Sequence, residues 1–330
     1  MLVSVIIPVY NNSKHIKIVY ESIKKQTYKN LEVIFVDDNS QDNSLKILLD
    51  IQKNDSNIKV IHNKKNYGPG GAKTEGLKKA NGQYVLFIDC DDYISKDYID
   101  SLIKNAQNNN YPDIVLSNFT KIDQNGEINY IRDYKNKKSA LVQKISSVGK
   151  LIKREFIINN KLTLPYGKVL EDVLFHAGIM ACNPTYSFEK NEGYFYVYNS
   201  MSISHTTLKK FNKGELEKGE KYLIDLKKNE RLCNKKILNY YAFKYICWHL
   251  LKSGNNVGSA AMKDEYNKGF TFLKEEFPEY KKLKNMIQGN ERFIIKFVLF
   301  NILILNKLHL DSYFFKVYSK VNLERLWPNM

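Results

Sequence analysis

The chain has 330 residues, of which 43% are hydrophobic and 26% are charged, and its formal net charge is +16. This composition excludes a disordered or fibrous chain, and the length suits two or three compact units. From residue 206 onward, 24 Lys and Arg stand against 13 Asp and Glu, a net charge of +11 that leaves +5 for the first 205 residues. The excess favours an anionic partner such as lipid head groups or a phosphorylated acceptor, although Lys-rich codon usage produces the same excess.

The four cysteines have neither metal-ligand spacing nor the density of a disulfide framework, so we expect a reducing, cytosolic compartment. The first ten residues are apolar but lack a basic start and include Pro8, which favours a first strand over a signal peptide. Since no apolar run reaches about 18 residues, we expect no transmembrane helix.

The first 90 residues alternate between two periodicities. Short apolar, β-branched runs predict buried strands over residues 3–8, 31–36, 58–61 and 84–88. Helical spacing of apolar residues predicts helices between these strands, the third of them beginning at Gly68 and ending near Gly82. The alternation predicts a parallel sheet with helices on both faces.

The pattern is less regular further along the chain. We expect a helix over 95–107, a strand over 114–117 and a hairpin turn at Asn125-Gly126. Helical spacing indicates helices over 151–158 and 173–180, and an aromatic run indicates a strand over 195–198. Beyond about residue 205 the pattern becomes helical and basic, so we place a domain boundary there.

Acidic and aromatic residues follow three of the predicted strands. Tyr10 follows the first strand, Asp37-Asp38 ends the second, and Asp89-Cys90-Asp91-Asp92 ends the fourth. Ligands of parallel sheets bind outside the carboxyl ends of the strands, so these residues are expected on one rim. Three carboxylates within four residues repel each other unless a cation compensates, and a divalent metal carrying substrate phosphates would do so. The alternative is an acidic loop solvated at a strand end.

Four stretches, in this order and spacing, resemble the inverting family 2 glycosyltransferases with the GT-A fold. They are residues 3–11, 31–42, 82–92 and 170–172. The resemblance covers roughly residues 1–205 and is closest to non-processive enzymes that build bacterial capsule, lipooligosaccharide or exopolysaccharide. It implies an α/β, Rossmann-like GT-A domain with a nucleotide-binding half (1–117) and an acceptor half (118–205). A basic helical region (206–330) follows.

The resemblance assigns roles to individual residues. Those expected to hold the nucleotide-sugar donor are Pro8, Tyr10, Asp38, Lys73 and Asp89. Asp91 would bind Mn²⁺ or Mg²⁺ directly with support from Asp89, and His205 could close over the metal. Asp172 would deprotonate the acceptor hydroxyl, a role that needs one well-placed carboxylate. The structural alternatives are a helix N-cap for one acid of Asp37-Asp38 and a simple helix start for Glu171-Asp172.

Two departures from the family pattern limit the resemblance. Lys73 stands where the family usually has Arg, and an ammonium cannot reproduce the two-pronged guanidinium contact with a diphosphate. The Gln-x-x-Arg-Trp signature of processive synthases is absent, which disfavours a polymerase of the cellulose or hyaluronan type.

The resemblance therefore implies transfer from a nucleotide sugar, such as a UDP-sugar, to a saccharide or lipid-linked saccharide. Two alternatives are a sugar-phosphate nucleotidyltransferase and a non-catalytic basic module that binds membrane or nucleic acid. The acids expected on the rim argue against nucleic-acid binding there, because they would repel the phosphate backbone. The apolar segment 293–305 is too short to span a bilayer but fits a helix lying at the inner membrane surface, or a buried helix. We expect a cytoplasmic enzyme that contacts the membrane peripherally.

Overall fold

The computed structural model describes residues 1–134, 136–167, 170–198, 214–253, 259–282 and 291–308. Its contacts divide the chain into two compact units. The first unit comprises Met1–Gly167 and Pro184–Asn199, and the second comprises Lys168–Asn183 and Ser200–Met330. The segment before residue 184 that carries Asp172 therefore groups with the C-terminal residues. The boundary expected near residue 205 stays a prediction, because residues 199–213 lie outside the described ranges.

The first unit begins with the predicted alternation of strands and helices. The elements are β1 (Val3–Val9), α1 (Ile16–Lys24), β2 (Leu31–Asp37), α2 (Ser44–Asn54), β3 (Ile58–His62), α3 (Gly68–Lys79) and β4 (Tyr84–Phe87). Strand β1 lies between β2 and β4 and runs parallel to both. Its residues are almost wholly buried, as a central strand covered on both faces requires.

Later segments complete this sheet and add a second one. They are β5 (Tyr93–Ile94), α4 (Tyr98–Asn108), β6 (Ile114–Ser117), β7 (Phe119–Ile122), β8 (Ile128–Arg132), α5 (Lys137–Gln143), β9 (Lys150–Lys153), α6 (Arg154–Asn159), β10 (Tyr186–Glu189) and β11 (Tyr194–Val197). The large sheet has the order β10-β6-β9-β4-β1-β2-β3, and the small sheet has the order β5-β11-β7-β8. Gly126 has a positive φ in the turn between β7 and β8, which confirms the predicted hairpin.

Two expectations about the large sheet were wrong. The sheet is mixed, not parallel, because β9 runs antiparallel to both β4 and β6. The expected helix over 151–158 is instead strand β9 followed by the short helix α6. Leu151 and Ile152 point to opposite faces of the sheet and both are fully buried. A short apolar run of this kind is compatible with a helix or a strand. Here it is a strand because it pairs with β4 on one side and with β6 on the other.

The second unit is helical, as predicted. Its elements are α7 (Glu171–Ala181), α8 (Glu215–Lys228), α9 (Ile237–Ser253), α10 (Ser259–Glu276), a 3₁₀ turn (Pro278–Lys281) and α11 (Phe293–Lys307). Helix α9 is buried along most of its described length and contacts the other helices of this unit. Lys244 of α9 is fully buried and donates to Glu291 at 2.6 Å, so its charge is balanced inside the unit. Among the described helices, none is long and apolar enough to cross a membrane.

Glu220, on α8, is a carboxylic acid whose burial is incompletely compensated. Its Oε1 atom is buried without a hydrogen-bond partner. Burial, together with the charges of Glu217 and Glu265, raises the pKa of Glu220 to about 7 from 4.5. A raised acid pKa means that the folded state binds this proton more tightly than the unfolded state. Proton binding by Glu220 therefore stabilises the folded state at low pH, and this contribution is lost as pH rises through about 7.

Replacing Glu220 by Gln should therefore change how stability depends on pH. We expect wild type and Glu220→Gln to unfold at similar urea concentrations at pH 5, where Glu220 is protonated. At pH 8 the variant should be the more stable, because it carries no buried charge. Circular dichroism during urea titration measures this, with the exposed Glu275→Gln as control. A difference between Glu220→Gln and wild type that does not change with pH would contradict the assignment.

Candidate functional site

The carboxyl ends of β1 and β2 are joined by hydrogen bonds between the loops that follow them. The Asn11 amide donates to Ser40 Oγ at 3.0 Å, and the Gln41 amide donates to Asn11 Oδ1 at 2.7 Å. Pro8 lies near the end of β1, and the Tyr10 ring just beyond it is 39% exposed. An exposed ring on a loop fixed in this way can stack on a nucleotide base without a large ordering cost.

Asp38 is buried and its carboxylate is held by the protein's own donors. It accepts from Asn63 Nδ2 at 2.8 Å, from the Tyr67 amide at 2.9 Å and from the Gly68 amide at 2.8 Å. Burial raises the pKa of Asp38, and these donors partly offset that effect. The bonds fasten the end of β2 to the start of α3, so Asp38 here fixes the helix that carries Lys73. Its contact with a nucleotide base stays a prediction.

Lys73 is buried on α3 and joins two other segments of the first unit. Its Nζ lies 2.9 Å from Asp89 Oδ1 and donates to Ser147 Oγ at 2.9 Å. Asp89 remains about one-third exposed, whereas Lys73 is only 1% exposed. In this arrangement the ammonium compensates a carboxylate of the rim and is not presented openly to solvent. A direct contact between Lys73 and a diphosphate stays a prediction.

Asp91 differs from the acids beside it because, within the described ranges, no other side chain is hydrogen-bonded to its carboxylate. Burial, and then the charge of Asp89, raise the pKa of Asp91 to about 6. Both effects mean that a nearby cation would stabilise the ionised form. The described residues contain no group of three or more His, Cys, Asp and Glu side chains that could hold a metal ion. Carboxylate oxygens such as those of Asp89 and Asp91 suit Mg²⁺ or Mn²⁺, which takes its remaining ligands from substrate phosphates and water.

Asp92 and Cys90 are held in the interior of the first unit and have structural roles. The Tyr194 hydroxyl donates to Asp92 Oδ2 at 2.6 Å, and the Val197 amide donates to Asp92 Oδ1 at 3.0 Å. These bonds hold strand β11 to the loop after β4, so Asp92 anchors the small sheet. Burial raises the pKa of the Cys90 thiol well above its usual value, which keeps it protonated and makes it a poor metal ligand.

Two predicted site residues remain, Asp172 and His205. Asp172 is in the first turn of α7, in the second unit, and is partly exposed. The preceding Leu170 has a positive φ, and Glu171 and Asp172 both occupy positions that favour acids at a helix start. His205 lies outside the described residues.

Four side chains of this region were not predicted. Ser147 bonds Lys73, and Tyr194 bonds Asp92, across long sequence separations that no local pattern reveals. His62 Nδ1 lies 2.8 Å from Asp37 Oδ2, and Asn63 donates to Asp38. His62 and Asn63 follow the third parallel strand, so the rule that placed the other residues on the rim could also have found them.

A family model described as glycosyl transferase family 2 matches residues 4–165. This match includes the loops after β1, β2 and β4 and the acids of those loops. The segment belongs to glycosyl transferase family 2. Within it lie Tyr10, Asp38, Lys73, Asp89 and Asp91, whereas Asp172 falls beyond its end.

Curated relatives align with part of this chain over part of their own length. Glycosyltransferase GlyG of Streptococcus pneumoniae is 36% identical over 123 residues, which are 37% of this chain and 40% of the relative. Poly(ribitol-phosphate) beta-glucosyltransferase of Bacillus spizizenii is 32% identical over 207 residues, which are 60% of this chain and 32% of the relative. The chain thus spans well under half the length of these relatives.

A solved structure of Staphylococcus aureus TarS, residues 1–349 with UDP-GlcNAc, aligns with nearly the whole chain. The TM-score is 0.64 at 21% identity, covering 97% of this chain and 91% of the TarS fragment. At this identity the likeness concerns the fold alone. It confirms the predicted GT-A architecture followed by helices.

Removing the Lys73 ammonium should weaken the first unit. In Lys73→Met, Ser147 and Asp89 lose a charged donor at a buried position, so we expect the free energy of unfolding to fall by about 1–3 kcal/mol. The exposed Lys79→Met on the same helix is the control. Urea titration compares the two variants. Equal free energies of unfolding for the two variants would show that the contacts of Lys73 do not stabilise the first unit.

Proposed function

We propose that the protein is a metal-dependent, inverting glycosyltransferase that moves a sugar from a nucleotide-sugar donor to a saccharide acceptor. The main support is the Asp91 carboxylate, which follows β4 in a family 2 segment and has no side-chain partner among the described residues. The charge of Lys73 only partly offsets the effects of burial and of Asp89 on Asp91, so a cation with its phosphates would add stability there.

The donor would lie along the rim of the large sheet. Tyr10 would stack on the base, while Asp38 would keep α3 in place. Asp91 would hold Mn²⁺ or Mg²⁺ with help from Asp89, which Lys73 fixes at 2.9 Å. The metal, when bound, would neutralise the charge that develops on the leaving nucleoside diphosphate. The chain's own residues would supply the position and orientation of that diphosphate.

Asp172 would act as the base. An inverting displacement attacks the sugar carbon from the side opposite the leaving group, so one carboxylate must accept the proton of the attacking hydroxyl. Asp172 stands at a partly exposed position in the first turn of α7, where its carboxylate can meet solvent or substrate.

The donor class and the acceptor class are inferred from relatives. TarS was solved with UDP-GlcNAc, which favours a UDP-sugar here. The Bacillus spizizenii relative is named as a glucosyltransferase that acts on poly(ribitol phosphate). We propose an acceptor in surface polysaccharide or lipooligosaccharide synthesis, and a cytoplasmic enzyme working beside the membrane on a saccharide or lipid-linked saccharide.

Two substitutions separate metal binding from proton transfer. Asp91→Asn should abolish the Mn²⁺ dependence of UDP binding in calorimetry and lower Mn²⁺-dependent hydrolysis of UDP-sugars by about 10²-fold or more. Asp172→Asn should keep Mn²⁺-dependent UDP binding but lower turnover by about 10²–10⁴-fold, because the base is lost. The exposed Asp50→Asn, on α2, is the control.

The assay would use a panel of nucleotide sugars with Mn²⁺, with and without a chelator. Unchanged turnover in a correctly folded Asp91→Asn variant would overturn the metal assignment. Loss of UDP binding in Asp172→Asn would show that this acid serves the donor and not the acceptor hydroxyl.

A further inference from the structure

Helix α11 exposes a continuous apolar line to solvent. The exposed large side chains are Phe293 (80%), Phe297 (48%), Phe300 (42%), Ile304 (39%) and, just past the helix, Leu308 (59%). They recur at intervals of three or four residues, so they share one face. At 1.5 Å per residue the line is about 22 Å long.

The other face of α11 already forms part of a core. Ile295, Val298, Leu299, Ile302 and Leu303 are each no more than 5% exposed. An ordinary surface helix carries polar residues opposite its buried stripe, whereas the exposed positions between residues 293 and 306 are all apolar. Packing among the described residues of the second unit therefore does not explain the exposed line. Contiguous exposed apolar surface of this kind marks a site of interaction.

The charge around this line favours one class of partner. Arg292 and Lys296 lie beside the exposed line and are themselves partly exposed. The chain from residue 206 onward has a net charge of +11. A second copy of the protein would bring the same cations together, and like charges would oppose association. An anionic lipid surface would instead attract these cations.

We propose that α11 docks on an anionic lipid bilayer, with its axis parallel to the surface and Phe297 and Phe300 inserted among the head groups. An apolar face flanked by Lys and Arg is the pattern of helices that lie in the interface, and aromatic rings suit that depth. The described helix is too short to span a bilayer. Docking would bring the protein to the surface where lipid-linked saccharides are held.

Sedimentation of the full chain with lipid vesicles tests this proposal. We expect it to bind vesicles that contain phosphatidylglycerol, and to bind pure phosphatidylcholine vesicles weakly. Phe297→Ser combined with Phe300→Ser should lower the partition coefficient between vesicles and water at least tenfold, because the two rings that would insert among the head groups are removed. The matched control is Ile18→Ser with Leu49→Ser, which removes two exposed apolar side chains from the first unit.

Lys296→Glu supplies a second test. It should weaken binding to phosphatidylglycerol vesicles and leave the weak binding to phosphatidylcholine unchanged. Equal partitioning of the double Phe variant, the control and wild type would overturn the proposal. So would the absence of vesicle binding, or self-association in sedimentation velocity that the Phe variant abolishes. None of these readouts requires turnover, so failure of the proposed glycosyl transfer is recorded separately.

Discussion

The repulsion among the three acids after β4 is the constraint on which the candidate site depends. Each acid has a different environment. Lys73 lies 2.9 Å from Asp89, and Tyr194 together with the Val197 amide donates to Asp92. Asp91 receives no such contact from another side chain among the described residues, and burial raises its pKa to about 6. Three residues that look equivalent in the sequence therefore have three different environments: Asp89 is paired with Lys73, Asp92 anchors the small sheet, and Asp91 has no side-chain hydrogen bond among the described residues.

The supporting contacts form a connected frame within the first unit. Asp38 binds the start of α3, α3 carries Lys73, and Lys73 holds Asp89 and Ser147. A shift in one of these segments would therefore alter the position of an acid on another strand. Precise placement of a few groups is what transfer reactions require, because misplacement by about 1 Å is costly. The buried polar contacts are thus better interpreted as positioning the rim than as adding net stability.

The sequence predicts the parallel core and the rim because both depend on local periodicity and on a general rule for strand ends. It singles out Asp89 and Asp91 as candidates, because three carboxylates directly follow a buried strand and because this stretch resembles the family. It does not predict β9, whose identity as a strand depends on neighbours more than 30 residues away in the sequence. It also cannot reveal that Tyr194 is the partner of Asp92, since the two are 102 positions apart. Patterns specify faces and ends of elements, whereas partners depend on the assembled fold.

The second unit also contains a buried charge that is balanced by an opposite charge. Lys244 is buried, but Glu291 and the Trp248 ring, whose centroid is 4.9 Å from Nζ, stabilise its ammonium. Because this interior cation is matched by an acid, it contributes nothing to the net charge of +11 in the region from residue 206 onward. The net positive charge therefore comes from other Lys and Arg residues. Arg292 and Lys296, which lie beside the exposed line of α11, are two of them. Apolar attraction and positive charge on one helix then favour the same anionic surface, which neither feature alone would specify.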